Sequence, residues 1–73
     1  MNSLGHKIQF TEIKGEVRRL TAKGVLIYSE AHDEERWIPR SLLRSDQDEA
    51  LDRGDDIGSP MIMTFKLKDI GWD

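Results

Sequence analysis

The sequence predicts a mainly β domain: a small antiparallel sheet or open barrel of four to five strands with one short helix. Three stretches carry that prediction. Val25-Leu26-Ile27-Tyr28 is a β-branched and aromatic run suited to a central strand. Glu35-Arg36-Trp37-Ile38-Pro39 stops at a proline, which has a fixed φ and no N–H for a ladder and so belongs at a strand end. Met61, Met63, Phe65 and Leu67 alternate with Ile62, Thr64, Lys66 and Lys68, the period of a half-buried strand.

Taken in order, Met1 to Gly5 is a polar lead with little apolar surface to offset its ordering. Strand character starts near Lys7. Ile8 and Phe10 alternate with polar neighbours, then the phase slips by one and Ile13, Gly15 and Val17 continue the apolar side. That slip predicts one long strand with a bulge near Thr11-Glu12 and a bend at Gly15. Leu20 to Gly24 makes a turn, with Gly24 available for positive φ, and leads into the central strand. Ser29 to Glu34 suits a hairpin loop, and the next strand ends at Pro39, with Trp37 facing opposite to Arg36 and Ile38.

Ser41 is placed to cap a single helical turn through Leu42 and Leu43, and Ser45 stands three residues before Asp48 in a capping-box arrangement. The short helix is expected from about Asp46 to Arg53, burying Ala50 and Leu51, with Gly54 at C′. After a loop from Asp55 to Pro60 comes the alternating strand from Met61 to Lys68. Ile70 and Trp72 end the chain as an apolar pair, and Gly71 lets the backbone turn one of them onto the core.

Seventy-three residues form a single domain with one small core. Without cysteine there is neither a disulfide framework nor a thiolate zinc site, which fits a reducing cytoplasm. The longest apolar run is too short to span a bilayer, and no signal-like start is present, so no membrane role is expected. The formal charge of −3 is unevenly spread. Asp46, Asp48, Glu49, Asp52, Asp55 and Asp56 face only Arg44 and Arg53 within one segment, and the remaining chain is close to neutral.

Catalytic groupings are sparse. His6 and His32 have no partner at a metal-ligand or triad spacing. Asp46, Asp48 and Asp52 resemble a calcium loop only faintly, since the required glycine and closing glutamate are missing. Arg53-Gly54-Asp55 reads as a turn. No enzyme activity, cofactor or metal is expected.

Two binding surfaces remain, each beside a plainer reading. The acids from 46 to 56 would present carboxylates to the cationic groove of a nucleic-acid-handling partner, with Trp37 or Trp72 as an apolar anchor. The plainer reading is a solvated helix face whose acids serve capping and solubility. Alternatively, Arg18, Arg19, Lys23, Arg36, Arg40 and Arg44 would gather around Trp37 as a phosphate-tracking, base-stacking surface for single-stranded nucleic acid. There the plainer reading makes Trp37 core and the arginines ordinary surface charge. A third role is a small assembly subunit, and an unpaired strand edge leaves self-association open.

Gly15-Glu16-Val17, Thr21-Ala22-Lys23-Gly24-Val25-Leu26-Ile27 and Glu35-Arg36-Trp37-Ile38-Pro39-Arg40-Ser41 resemble a group of small phage and mobile-element β proteins. Their pattern is T-x-K-A-x-L-V followed by E-x-W-[IV]-P-K-S, matched over about residues 12 to 43. The chain departs from it at Gly24 and Arg40, which replace alanine and lysine. Its end departs further, because Asp69 to Asp73 cannot supply the group's final tryptophan-leucine-alanine helix. The resemblance implies an accessory protein acting in a bacterial host cytoplasm, of the kind that inhibits host defence complexes, anti-CRISPR proteins among them. Such a protein works by stoichiometric binding to a host protein or nucleoprotein complex.

Overall fold

The computed structural model describes residues 8–73, so the expected polar lead, the strand start at Lys7 and His6 lie outside the described residues. The chain forms β1 (Phe10–Glu12), β2 (Gly15–Leu20), β3 (Gly24–Ser29), β4 (Glu34–Pro39), a 3-10 turn (Arg40–Leu42), α1 (Ser45–Asp52), β5 (Met61–Met63) and α2 (Thr64–Ile70). Two antiparallel sheets result, β2-β3-β4 and β1-β5, and they do not close into a barrel. The mainly β expectation holds; the barrel gives way to two packed sheets.

The predicted long first strand is instead two strands belonging to different sheets. The break falls at Ile13, whose side chain is buried and whose N–H donates to the Pro60 carbonyl at 2.9 Å. Lys14 then accepts from the Glu30 N–H, also at 2.9 Å, and the chain enters the second sheet. Gly15 makes that entry feasible, because a Cβ built on it would overlap the Tyr28 carbonyl oxygen across the strand pair. The bulge expected near Thr11-Glu12 is absent, since β1 pairs with β5 in unbroken register, and a different register shift falls between Val17 and Arg19.

β3 is the central strand of the larger sheet, as its composition predicts. Val25, Ile27 and Ser29 are buried on one face, whereas Gly24, Leu26 and Tyr28 are half-buried on the other. Gly24 does not adopt positive φ. It sits in the strand, and the turn before it closes through the Thr21 N–H to the Gly24 carbonyl at 2.8 Å and the Gly24 N–H to Thr21 Oγ1 at 2.9 Å.

α1 buries Leu51 and Gln47, with Ala50 only half-buried. Gln47 compensates its burial twice: its Nε2 donates to the Ser59 carbonyl at 3.1 Å, and its Oε1 accepts the Met61 N–H at 2.6 Å. Neither expected serine cap forms. Pro39 and Arg44 occupy the two N-cap positions without side-chain hydrogen bonds, and Ser45 is already helical. At the other end Gly54 takes φ +83° at the anticipated C′ position, and the Asp55 N–H reaches the Ala50 carbonyl at 2.9 Å, which completes a Schellman ending.

The alternating stretch after Pro60 is the largest departure. Only Met61–Met63 is strand, with Ile62 paired to Thr11 on one side and bridged to Leu43 on the other; Thr64–Ile70 is helix. Period-two alternation placed Phe65 with the core, yet Phe65 is 60% exposed while Leu67 is fully buried. Helical spacing satisfies Leu67 and half-buried Ile70 together, and burial of that pair outweighs the strand pattern. Among the described residues there are thus two short α-helices rather than one.

α2 ends at Gly71, with φ +79°, and the Trp72 N–H donates back to the Leu67 carbonyl at 2.8 Å. This reversal drops Trp72 into the core, where it is 3% exposed beside the fully buried Val25, Ile27, Ile38, Ile62 and Leu67.

The overlap at Gly15 makes a direct prediction. Gly15→Ala should cost about 1–3 kcal/mol, because backbone rather than a side-chain tip must move. At about 4–8 °C per kcal/mol, a thermal melt should show a lower midpoint, and an unchanged midpoint would refute the close approach.

Candidate functional site

The sheet β2-β3-β4 has an inner face that packs on the core and an outer face that no other element of the described residues is paired to. Strand register writes that outer face row by row. Leu26 stands between Arg19 on β2 and Trp37 on β4, and Tyr28 stands between Glu16 and Glu35. At the turn end Gly24 pairs with Pro39, and a Cβ on Gly24 would sit 3.3 Å from Trp37 Cε3, so the indole lies along the strand over the glycine. Trp37 is 51% exposed.

The bulge after Val17 swings Arg18 onto this same face. Its guanidinium carbon lies 4.5 Å from the centre of the Tyr28 ring, and its nitrogens approach Glu16 at 3.2 Å and Glu35 at 3.7 Å. The Tyr28 hydroxyl donates to Asp33 Oδ1 at 2.6 Å, and that bond holds the phenol above its ordinary pKa. The face is therefore polarised. Acids and their partner Arg18 collect around Tyr28, while Arg19 and the turn residue Lys23 flank the Trp37 end with no ion pair among the described residues.

The other predicted cations are elsewhere. Arg36 lies opposite Ile27 on the inner side of β4 and pairs with Glu34 at 3.6 Å. Arg44 is held by Asp46 at 2.6 Å, an ion pair that raises the guanidinium pKa and lowers that of the carboxyl. Arg40 has only 13% of its side chain exposed and works as a clamp: Nε donates to Asp48 at 2.8 Å, Nη2 to Asp52 at 2.7 Å and Nη1 to the Thr21 carbonyl at 3.2 Å. These bonds raise its pKa further, that to Asp52 most. Of the predicted cations, Arg19 thus shares the Leu26–Trp37 row, Lys23 is in the adjoining turn, Arg18 is on the same face at the Tyr28 end, and Arg36, Arg40 and Arg44 pair with in-chain carboxylates.

The acidic segment is correspondingly spent on its own chain. Asp46, Asp48, Asp52 and Asp55 each meet an arginine, the last through Arg53 at 3.2 Å, and Asp56 accepts the Gly58 N–H. Glu49 and Asp56 have no ion pair among the described residues. The expectation of Trp72 as a surface anchor fails, because it is buried. Its Nε1–H donates to Glu34 Oε1 at 2.6 Å, and its ring stacks on His32 at 5.9 Å with 12° between the planes.

One nucleophile and base meet, Ser29 Oγ and His32 Nδ1 at 3.0 Å, but Ser29 is 1% exposed and out of a substrate's reach. Among the described residues no group of three His, Cys, Asp or Glu side chains could hold a metal, and no helix is long and apolar enough to cross a membrane. The sequence reading overlooked Leu26 and Tyr28 as surface residues. Alternation within β3, carried across the hairpin to Trp37, was the signal that could have found them.

Comparison with protein families, curated proteins and solved structures finds no match to this chain.

The Trp72–Glu34 bond carries a pH signature. It is the largest cause holding the Glu34 carboxyl below its ordinary value, with Arg36 adding to it and partial desolvation opposing. A depressed folded pKa adds stability above the unfolded value near 4.3 and loses it as pH falls through the folded value. Glu34→Gln should consequently flatten the fall of the thermal midpoint between about pH 5 and pH 3, and parallel curves for the two proteins would refute the linkage.

Proposed function

We propose that the chain is a non-enzymatic protein-binding module whose contact surface is the outer face of β2-β3-β4. In the context implied by its sequence resemblance, it is a phage or mobile-element accessory protein that occupies a host nucleic-acid-handling complex in the cytoplasm. The observation that carries this reading is Trp37. It is half-exposed, yet it is no isolated surface residue, because Leu26, Tyr28 and Arg18 continue the same patch.

Tryptophan, tyrosine and arginine are the residue types that dominate binding energy at protein interfaces, and rigid sheet-borne aromatics lose little entropy on contact. Mixed charge supports a protein partner. Glu16 and Glu35 neutralise Arg18, which leaves few cations for a long polyanion. Within this reading the segment from 46 to 56 is secondary: Glu49 and Asp56 offer carboxylates to a basic partner, while the other aspartates already have arginines.

A second reading has its own support. Arg19 and Lys23 at the Trp37 end would suit base stacking with phosphate contacts to single-stranded nucleic acid. One experiment separates the readings. A photo-crosslinking amino acid is placed at position 37 or at position 49 of the full chain and irradiated in host cells. The proposal expects protein adducts from position 37 and few from position 49. Adducts from position 49 alone would move the interface to the acidic segment, and nucleic-acid adducts from position 37 would favour the second reading.

A further inference from the structure

We infer that the Trp37 end of the outer face receives a short acidic linear segment of the partner, with one large apolar side chain seated on Trp37 and Leu26 and carboxylates against Arg19 and Lys23. This rests on the protein-binding reading above and adds the chemistry of the bound segment. Size is the first argument. Three strands spaced ~4.8 Å apart and six residues long at ~3.4 Å per residue offer a patch of about 14 by 20 Å, roughly 300 Å². A stable interface between globular partners, a second copy included, takes about 800 Å² on each side. A patch this small suits a segment in extended conformation.

Charge is the second argument. Arg19 stands in the same row as Leu26 and Trp37, and Lys23 is in the turn that precedes Gly24. Neither has a carboxylate at ion-pair distance among the described residues, whereas every other arginine described has one. The opposite end of the face carries Glu16, Glu35 and Asp33 around Tyr28. A nucleic-acid strand running along the sheet would bring phosphates past those acids, and repulsion there opposes it. Two unpaired cations beside an apolar platform match two carboxylates flanking one apolar side chain.

The test is an NMR titration of the full chain with three probes: the blocked pentapeptide Gly-Asp-Phe-Glu-Gly, its counterpart with lysine at each acidic position, and a short oligothymidylate. The inference expects the acidic peptide to shift the resonances of Arg19, Leu26 and Trp37 and to bind at least about tenfold more tightly than the lysine peptide. Added salt should weaken that binding, and Arg19→Glu with Lys23→Glu should remove the preference while the rest of the spectrum stays folded. Equal affinity for the two peptides, or no shift at millimolar peptide, would overturn the inference. If position 37 still gives protein adducts in cells, those outcomes leave the protein-binding reading standing. Tighter binding of oligothymidylate at the same resonances would overturn both.

Discussion

The indole of Trp72 is the point at which the C-terminal residues meet the β3–β4 hairpin. Gly71 in the left-handed region reverses the chain after α2, the Trp72 N–H closes on the Leu67 carbonyl, and the ring enters the core. Its one polar atom would be costly there without a partner, and Glu34 at the start of β4 supplies the acceptor at 2.6 Å. His32 from the hairpin tip stacks on the ring. The C-terminal residues are thereby joined to the β3–β4 hairpin, far away in sequence. Truncating a buried tryptophan costs about 3–5 kcal/mol, and a domain of this size has a total stability of about 5–10 kcal/mol. A large share of the folded state therefore depends on this contact.

Strand parity decides which tryptophan faces solvent on the sheet: Trp37 is on the opposite face of β4 from buried Ile38 and is half-exposed, while Trp72 joins the core. Arg40 acts on charge. By bonding Asp48, Asp52 and the Thr21 carbonyl it ties α1 to the β2–β3 turn and keeps its own charge inside the chain, while the Asp52 side chain stays 71% exposed. Outside these internal commitments stands the outer sheet face with Trp37, Leu26, Tyr28, Arg18 and Arg19, and apart from it exposed Ile8 and Phe65 line a second groove.

Much of this was legible in the sequence. The β3 and β4 strands, the hairpin between them, the C′ position of Gly54 and the inward turn after Gly71 follow from local chemistry, which short-range patterns record well. What escaped depended on partners distant in the chain. Alternation from Met61 to Lys68 favoured a strand, and only the requirement that Leu67 and Ile70 share one buried side makes Thr64–Ile70 helical. The break at Ile13 needs the Pro60 carbonyl, and the burial of polar Gln47 needs the backbone of Ser59 and Met61. For the site, charge counting alone grouped Arg36, Arg40 and Arg44 with Trp37. Strand parity and ion pairs separate them.

One tryptophan is core and the other surface, and hydrogen exchange of the two indole N–H groups reads that directly. Trp72 Nε1–H, buried and bonded to Glu34, should exchange far more slowly than Trp37 Nε1–H, and Glu34→Ala should accelerate the slow one alone. Comparable exchange at both indoles, or a slow Trp37, would contradict the assignment of core and contact surface on which the binding proposal stands.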